Sequence, residues 1–486
     1  MKTTTHKTKL NIEKNPEELQ KLYEQSKASI YRQTYHVQPV SGLLNNPNGF
    51  IFHKDKWHLF YQWCPWHNTK DPEYCYHISS DDLLNWKNEG ISVRPSIYFD
   101  SDGILPGSAF VSNDSIYLFY TGIHNSANKS AELYTCHASI PQNGRAVKFS
   151  APLFMPNSEY TVCQQNPSIT FDEKTGKYYA ILGAQTREQT GCILVYESND
   201  LNYGWSFRGK LNVPSFENFG TMWECPSIIR LGRNDVLMFC PKGVKLPEYD
   251  NSRCHNGYII GTINYSSLTF IPDGAFHLLD FGFESYAAHI CPNPEKPDRA
   301  YLIAWMGMPG TDYPSEFNNS SSCLTLPREL SLRHRRLIQR PLSNLKKLRG
   351  EQINPSIGIL PSAAEINISV YPMDFDMKLF CRADGSGGFK IHYDSDIRQI
   401  TIDRSEMKNR INQNLGEVRT RILESDLTQL RIFIDYSSVE IFINDGDAVF
   451  TSRIIPDESE RYFQISECTS ISIWEMNSGM SDNFII

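Results

Sequence analysis

Apolar and aromatic residues gather in five runs along the first two thirds of the chain: WHLFYQ (57–62), IYLFYTG (116–122), YYAILGAQ (178–185), VLMFCPKG (236–243) and YLIAWMG (301–307). Flat and β-branched side chains suit a pleated, half-buried surface, so each run predicts a strand. The runs recur about every 60 residues, and a second element, SSDDLLNWK (79–87) and ESNDLNYGW (197–205), follows two of them. A strand unit returning at a fixed period is the trace of a β-propeller, one repeat per four-stranded blade. Five copies predict five blades. The competing fold, a large irregular β-sandwich, needs no even period.

Two segments depart from the repeat. At the start, Asn15 suits an N-cap, Pro16 a first helical position, and Glu17 and Glu18 the positive end of the helix dipole. Leu19, Leu22 and Tyr23 then follow at helical spacing, which predicts a short amphipathic helix over 16–29. At the other end the repeats stop near 345, and RPLSNLKKLRGEQ (340–352) reads as a basic, polar connector. Beyond it, LRIFIDYSSVEIFIND (430–445) and AVFTSRIIP (448–456) alternate apolar and polar residues, with NDGD (444–447) as a hairpin turn. The fold class that follows is all-β: a helical extension over 1–34, a five-bladed β-propeller over 35–345, and an antiparallel β-sandwich over 355–486. Each sheet of the sandwich is expected to have one wet face.

Composition narrows the partners. At 486 residues the chain is too long for one ordinary core, and a net charge of −8 lacks the basic face of a nucleic-acid binder. No run approaches the roughly 18 apolar residues of a membrane span. The segment MKTTTHKTKLNIEKN has no apolar core of a secretory signal, and the twelve cysteines include no CxxC pair. Neither zinc nor a disulfide framework is indicated, and a reducing cytoplasm is the expected location. The histidines at 53, 58, 67 and 77 have no supported ligand spacing, so no metal is expected.

LLNNPNGFIF (43–52) poses the chemical question. Asn, Pro and Gly between apolar flanks make an ordinary turn. They also place Asn46 where a catalytic carboxylate could stand. The stretch acquires meaning together with FYQ (60–62), WECP (223–226), LTLPREL (324–330), QRPL (339–342) and IDYSSVEIFINDG. In this order and spacing the set resembles glycoside hydrolase family 32, whose members cleave β-fructofuranosides such as sucrose. The resemblance runs from about Tyr35 to the C-terminus. Within that family, GFESYAAH (282–289) and WMGMPGTDYP (305–314) are similar to segments of bacterial sucrose-6-phosphate hydrolases.

The resemblance implies a retaining mechanism with an acid/base at Glu224 in WECP. It also implies departures. The family's NDPNG reads NNPNG here, so the nucleophile's place belongs to Asn46. The family's RDP reads Gln165-Asn166-Pro167, so the transition-state-stabilising carboxylate is replaced by Asn166 and its arginine by Gln165. Cys75 stands where a tryptophan is usual, and SGSA reads Pro106-Gly107-Ser108-Ala109. Deamidation does not repair the amides, because both Asn46 and Asn166 precede a proline, which lacks the N–H that succinimide formation uses. Asn45, Asn48, Gln62, Gln165 and Trp223 are the implied substrate contacts.

Three functions remain open at this stage. The first is a catalytically impaired homologue that still binds a fructoside: sucrose, sucrose 6-phosphate or a relative. The second is a working fructosidase with another nucleophile, for which Asp250 and Glu284 are the carboxylates to test. The third is a non-catalytic interaction protein. No cofactor, nucleic acid or membrane is implied, and the oligomeric state is open.

Overall fold

A computed structural model describes residues 12, 15–66, 73–126, 130–141, 146–246, 253–311, 322–481 and 483–485. Its first two thirds form five antiparallel sheets, each following the chain from its innermost strand outward. The first blade runs Leu43–His53, Lys56–Cys64, Tyr74–Ser80 and Trp86–Val93. The innermost strands of the other four are Gly103–Ser112, Gln164–Asp172, Met222–Leu231 and Tyr286–Pro292. The five aromatic runs are the second strands, and SSDDLLNWK and ESNDLNYGW span the turns from third to fourth strands. Each inner strand packs on its neighbours, and the fifth packs on the first, which closes the ring.

Every inner strand breaks register at the same end, and the first breaks it a second time at Asn48. Asn45-Asn46 face Gln62, Pro106-Gly107 face Tyr120, Asn166-Pro167 face Leu182, Cys225-Pro226 face Phe239, and Ala287-Ala288 face Ala304. Two residues opposite one is a β-bulge, which bends a strand and re-aims its side chains. The prolines fit here because a bulge releases the N–H that a ladder would require. Asn166, Cys225 and Ala287 hold φ of 58°, 48° and 50°, the left-handed conformation that an extra residue forces on the third, fourth and fifth bulges.

The rest of the chain is a two-layer sandwich. Its six-stranded sheet has the order Arg349–Ile353, Ser470–Met476, Ala363–Ser369, Gln429–Asp435, Ser438–Ile443, Ala448–Arg453. A five-stranded sheet covers it. The hairpin at 444–447 joins Ser438–Ile443 to Ala448–Arg453, and both strands are buried on both faces. The expected wet face is therefore missing from these two strands, whereas Arg349–Ile353 and Ser470–Met476 at the other edge keep exposed residues. Val439, Ile441, Ile443 and Phe450 fill the sandwich core, whereas Phe433, Phe442 and Val449 join a core shared with the propeller. Residues 340–352 are likewise packed. They end the fifth blade, make a 3-10 segment with Leu345 and Leu348 buried, and begin the six-stranded sheet. The N-terminal helix spans Pro16–Lys27, and Asn15 makes no side-chain cap on it.

Charge is buried where the two bodies meet. Arg328 donates to Glu440 Oε2 from Nη2 at 2.6 Å and to Asp280 Oδ2 from Nη1 at 3.0 Å. His36 lies between Asp435 Oδ2 at 2.9 Å and Glu440 Oε1 at 3.0 Å. All five side chains are at most 3% exposed. Burial pulls the His36 pKa down, but hydrogen bonds and the charges of Asp435 and Glu440 outweigh it, so the pKa is raised.

Two outcomes follow for stability. Arg328→Ala leaves two carboxylates buried without their cation and costs about 3–5 kcal/mol in urea denaturation. The His36 contribution is complete below its ordinary value of 6.5 and is lost as pH rises through the higher folded-state value. Denaturation midpoints should therefore fall on the alkaline side of 6.5 in the parent, and this component should vanish in His36→Gln.

Candidate active site

The bulges gather polar groups at one mouth of the ring. Glu224 precedes the Cys225-Pro226 bulge, and its side chain is 13% exposed. It accepts hydrogen bonds from Gln165 Nε2 at 2.7 Å, Lys242 Nζ at 2.7 Å and Tyr286 Oη at 2.8 Å. Three blades thus supply donors to one carboxyl. Burial lowers the Lys242 pKa, but the Glu224 charge and hydrogen bond outweigh it, and the ammonium is held more firmly protonated than usual.

Asn166 is buried, and its amide joins three blades. Its Nδ2 donates to the Pro106 carbonyl at 3.2 Å, and its Oδ1 accepts from the Cys225 N–H at 3.2 Å. Its own N–H donates to Thr121 Oγ1 at 3.0 Å. A carboxylate here could not donate to Pro106. The amide therefore serves packing in a way an aspartate would not. Asn46 lies half-buried in the first bulge, beside Asn45. Below these residues a channel of about 590 Å³ follows the propeller axis, lined by Phe50, Ala109, Asn166, Cys225, Ala288 and His289 among others.

Several of the implied contacts have other work. Trp223 is buried, stacks on Phe239 with ring centroids 4.4 Å apart, and donates from Nε1 to the Phe219 carbonyl. Alternation along the strand puts its ring in the core between the third and fourth blades while Glu224 reaches the mouth. Asn48 is buried too. Its Oδ1 accepts from Gly107 N–H at 2.6 Å and its Nδ2 donates to Cys75 Sγ at 3.2 Å, so it ties the first two blades together. Burial pushes the Cys75 thiol up to about 11, so it is a packing group in the place of the expected indole. Glu284 accepts from Arg404 Nη1 and from the Arg453 N–H, buried between propeller and sandwich. That position removes it as a nucleophile for this mouth. Asp250 and His67 lie outside the described residues.

Three mouth residues escaped the sequence reading. Tyr286 and Lys242 were inside quoted segments but carried no assigned role. Glu73 belonged to no motif at all. It accepts from Asn45 Nδ2 at 3.1 Å and from Gln62 Nε2. Among the described residues no cluster of three His, Cys, Asp or Glu side chains could hold a metal ion.

Comparison with known proteins places this geometry. Residues 36–341 match the model of the glycosyl hydrolases family 32 N-terminal domain, and residues 336–478 that of the family 32 C-terminal domain. The chain is 35% identical over 461 residues to sucrose-6-phosphate hydrolase of Staphylococcus xylosus, covering 91% of this chain and 90% of the relative. The solved sucrose-6-phosphate hydrolase of Lactobacillus gasseri superposes with a TM-score of 0.88 at 30% identity, covering 96% of this chain and 97% of that one. The Bombyx mori family 32 β-fructofuranosidase BmSUC1, solved as an aspartate-to-alanine mutant in complex with sucrose, gives a TM-score of 0.83 at 25% identity. That match covers 97% of this chain and 100% of that one.

The seam that positions Glu224 is testable. A Cβ on Gly183 would sit 2.0 Å from the Trp223 carbonyl oxygen, so the third and fourth blades approach this closely only over glycine. Gly183→Ala should cost about 1–3 kcal/mol in thermal unfolding, the usual effect of overpacking. It should also weaken ligand binding by displacing Glu224.

Proposed function

We propose that this chain, which belongs to glycosyl hydrolase family 32, binds a β-fructofuranoside at the propeller mouth and hydrolyses it at most slowly. The observation that carries this reading is what the inner-strand motifs bring to the bulges: the Glu224 carboxyl, with amides at 46, 165 and 166. A retaining glycosidase needs two carboxyl groups about 5–5.5 Å apart, one to attack and one to shuttle the proton. The Asn46 oxygen is neutral and has no means of becoming an anion. The Asn166 amide is committed to Pro106 and Cys225.

Magnitudes favour binding over turnover. A positioned acid alone contributes roughly 10²–10⁴-fold. Losing members of a set that acts as a unit costs on the order of 10⁴–10⁶ in rate. Binding is less exposed to these losses, since the amide oxygens of Asn45 and Gln62 remain to accept from sugar hydroxyls. The aspartate-to-alanine mutant of the silkworm relative, described in complex with sucrose, supports the same separation of binding from chemistry.

Sucrose and sucrose 6-phosphate are the ligands of choice, by analogy with the sucrose-6-phosphate hydrolases above. Two neutral amides in place of two anions ease the approach of a phosphorylated sugar, and Lys242 adds a positive charge at the mouth. Calorimetric titration with both sugars, beside a sensitive assay of fructose release, tests the reading. The expected outcome is saturable heat with release slower than one equivalent per protein per minute. Rapid multiple turnover would overturn the impairment, and no heat with either sugar would overturn the binding.

A further inference from the structure

Glu73 has surroundings that its place beside the mouth makes consequential. It lies half-buried just before the third strand of the first blade. Both of its protein partners are donors: Asn45 Nδ2 at 3.1 Å from Oε1, and Gln62 Nε2 against Oε2. Gln62 Nε2 gives its other hydrogen to the Ile104 carbonyl at 3.1 Å. Both hydrogens of that amide are therefore committed, and only its oxygen is left to meet a ligand. Glu73 thus decides which way Gln62 and Asn45 face.

Among the described residues Glu73 has no charged partner. At this end the first and second strands of the first blade offer it only the two amides. The Gly103–Ser112 strand of the second blade has no ionisable side chain. Cys75, two residues along its own strand, keeps its proton. No ion pair to Glu73 exists among the described residues, and burial pushes its carboxyl up to about 7 against the two hydrogen bonds. When it carries a proton, neither amide nitrogen can accept that hydrogen.

We propose that Glu73 is a ligand-contacting, specificity-determining residue of the propeller mouth, orienting Asn45 and Gln62 and donating its carboxyl hydrogen to an oxygen of a polyhydroxylated ligand. The inference rests on the fructoside reading above. It gives the mouth a carboxyl that replaces neither of the missing two in position but changes what the site recognises. A bound sugar supplies an acceptor and excludes water from the carboxyl, so binding favours the protonated form.

Titration of the full chain with sucrose between pH 6 and 8.5, in buffers of different ionisation enthalpy, tests this directly. The parent should take up protons on binding near pH 7 and bind at least about threefold more tightly at pH 6 than at 8.5. Glu73→Gln, with an unchanged melting temperature, should exchange no proton, and because its amide nitrogen must face one of the two donors Asn45 and Gln62 it should bind at least about tenfold more weakly. The proton count of the parent alone decides the matter if the variant does not fold. Sucrose binding without proton uptake, or with Glu73→Gln within twofold of the parent, overturns the role of Glu73 alone. Absence of any heat from the parent overturns the fructoside reading and this inference with it.

Discussion

Five strands that converge on one axis cannot all keep full pairing and full-sized side chains where they meet. The molecule answers with the same device five times, two residues opposite one at the mouth end of each innermost strand. Each bulge turns a strand aside and frees backbone groups that must then find partners across blades. Asn166 takes the Cys225 N–H and reaches the Pro106 carbonyl; Asn48 takes the Gly107 N–H. The site is built from what these bulges expose. Glu224, Asn46 and Gln165 reach the mouth because they sit at or beside a bulge, and the residues one step away go into the cores between blades.

That dependence explains how the amides at 46 and 166 differ in their surroundings. Position 46 lies half-buried in the first bulge. Position 166 is buried at a junction of three blades, where an amide offers both a donor and an acceptor. The neutral group suits its neighbours. The sandwich, in turn, is fixed to the propeller by buried Arg328 and His36 among three carboxylates, so the ring does not stand on blade packing alone.

Much of the architecture was legible because it rests on periodicity. Aromatic second strands at an even spacing mark blades, and alternation marks the sandwich strands. The dry second face of Ser438–Ile443 was not legible, since Glu440 reads as a solvent-facing residue until Arg328 and His36 are seen against it. The motif residues Glu224, Asn46 and Asn166 all sit at or beside inner-strand bulges, a placement that no motif spells out. The site was misread for Trp223 and Asn48, whose types suit a sugar but whose strand positions point into packing. Glu73 left no trace in a motif, because its meaning comes from Asn45 and Gln62, 28 and 11 residues away.

The central claim is that Asn46 stands in the nucleophile's place and that its neutrality is what withholds the chemistry. Fructose release from sucrose by Asn46→Asp, measured beside the parent and beside Asn46→Asp combined with Glu224→Gln, addresses it most directly. Release by Asn46→Asp at least about tenfold above the parent, abolished when Glu224→Gln is added, is the predicted result. Efficient hydrolysis by the parent, left unchanged by Asn46→Ala, would contradict it.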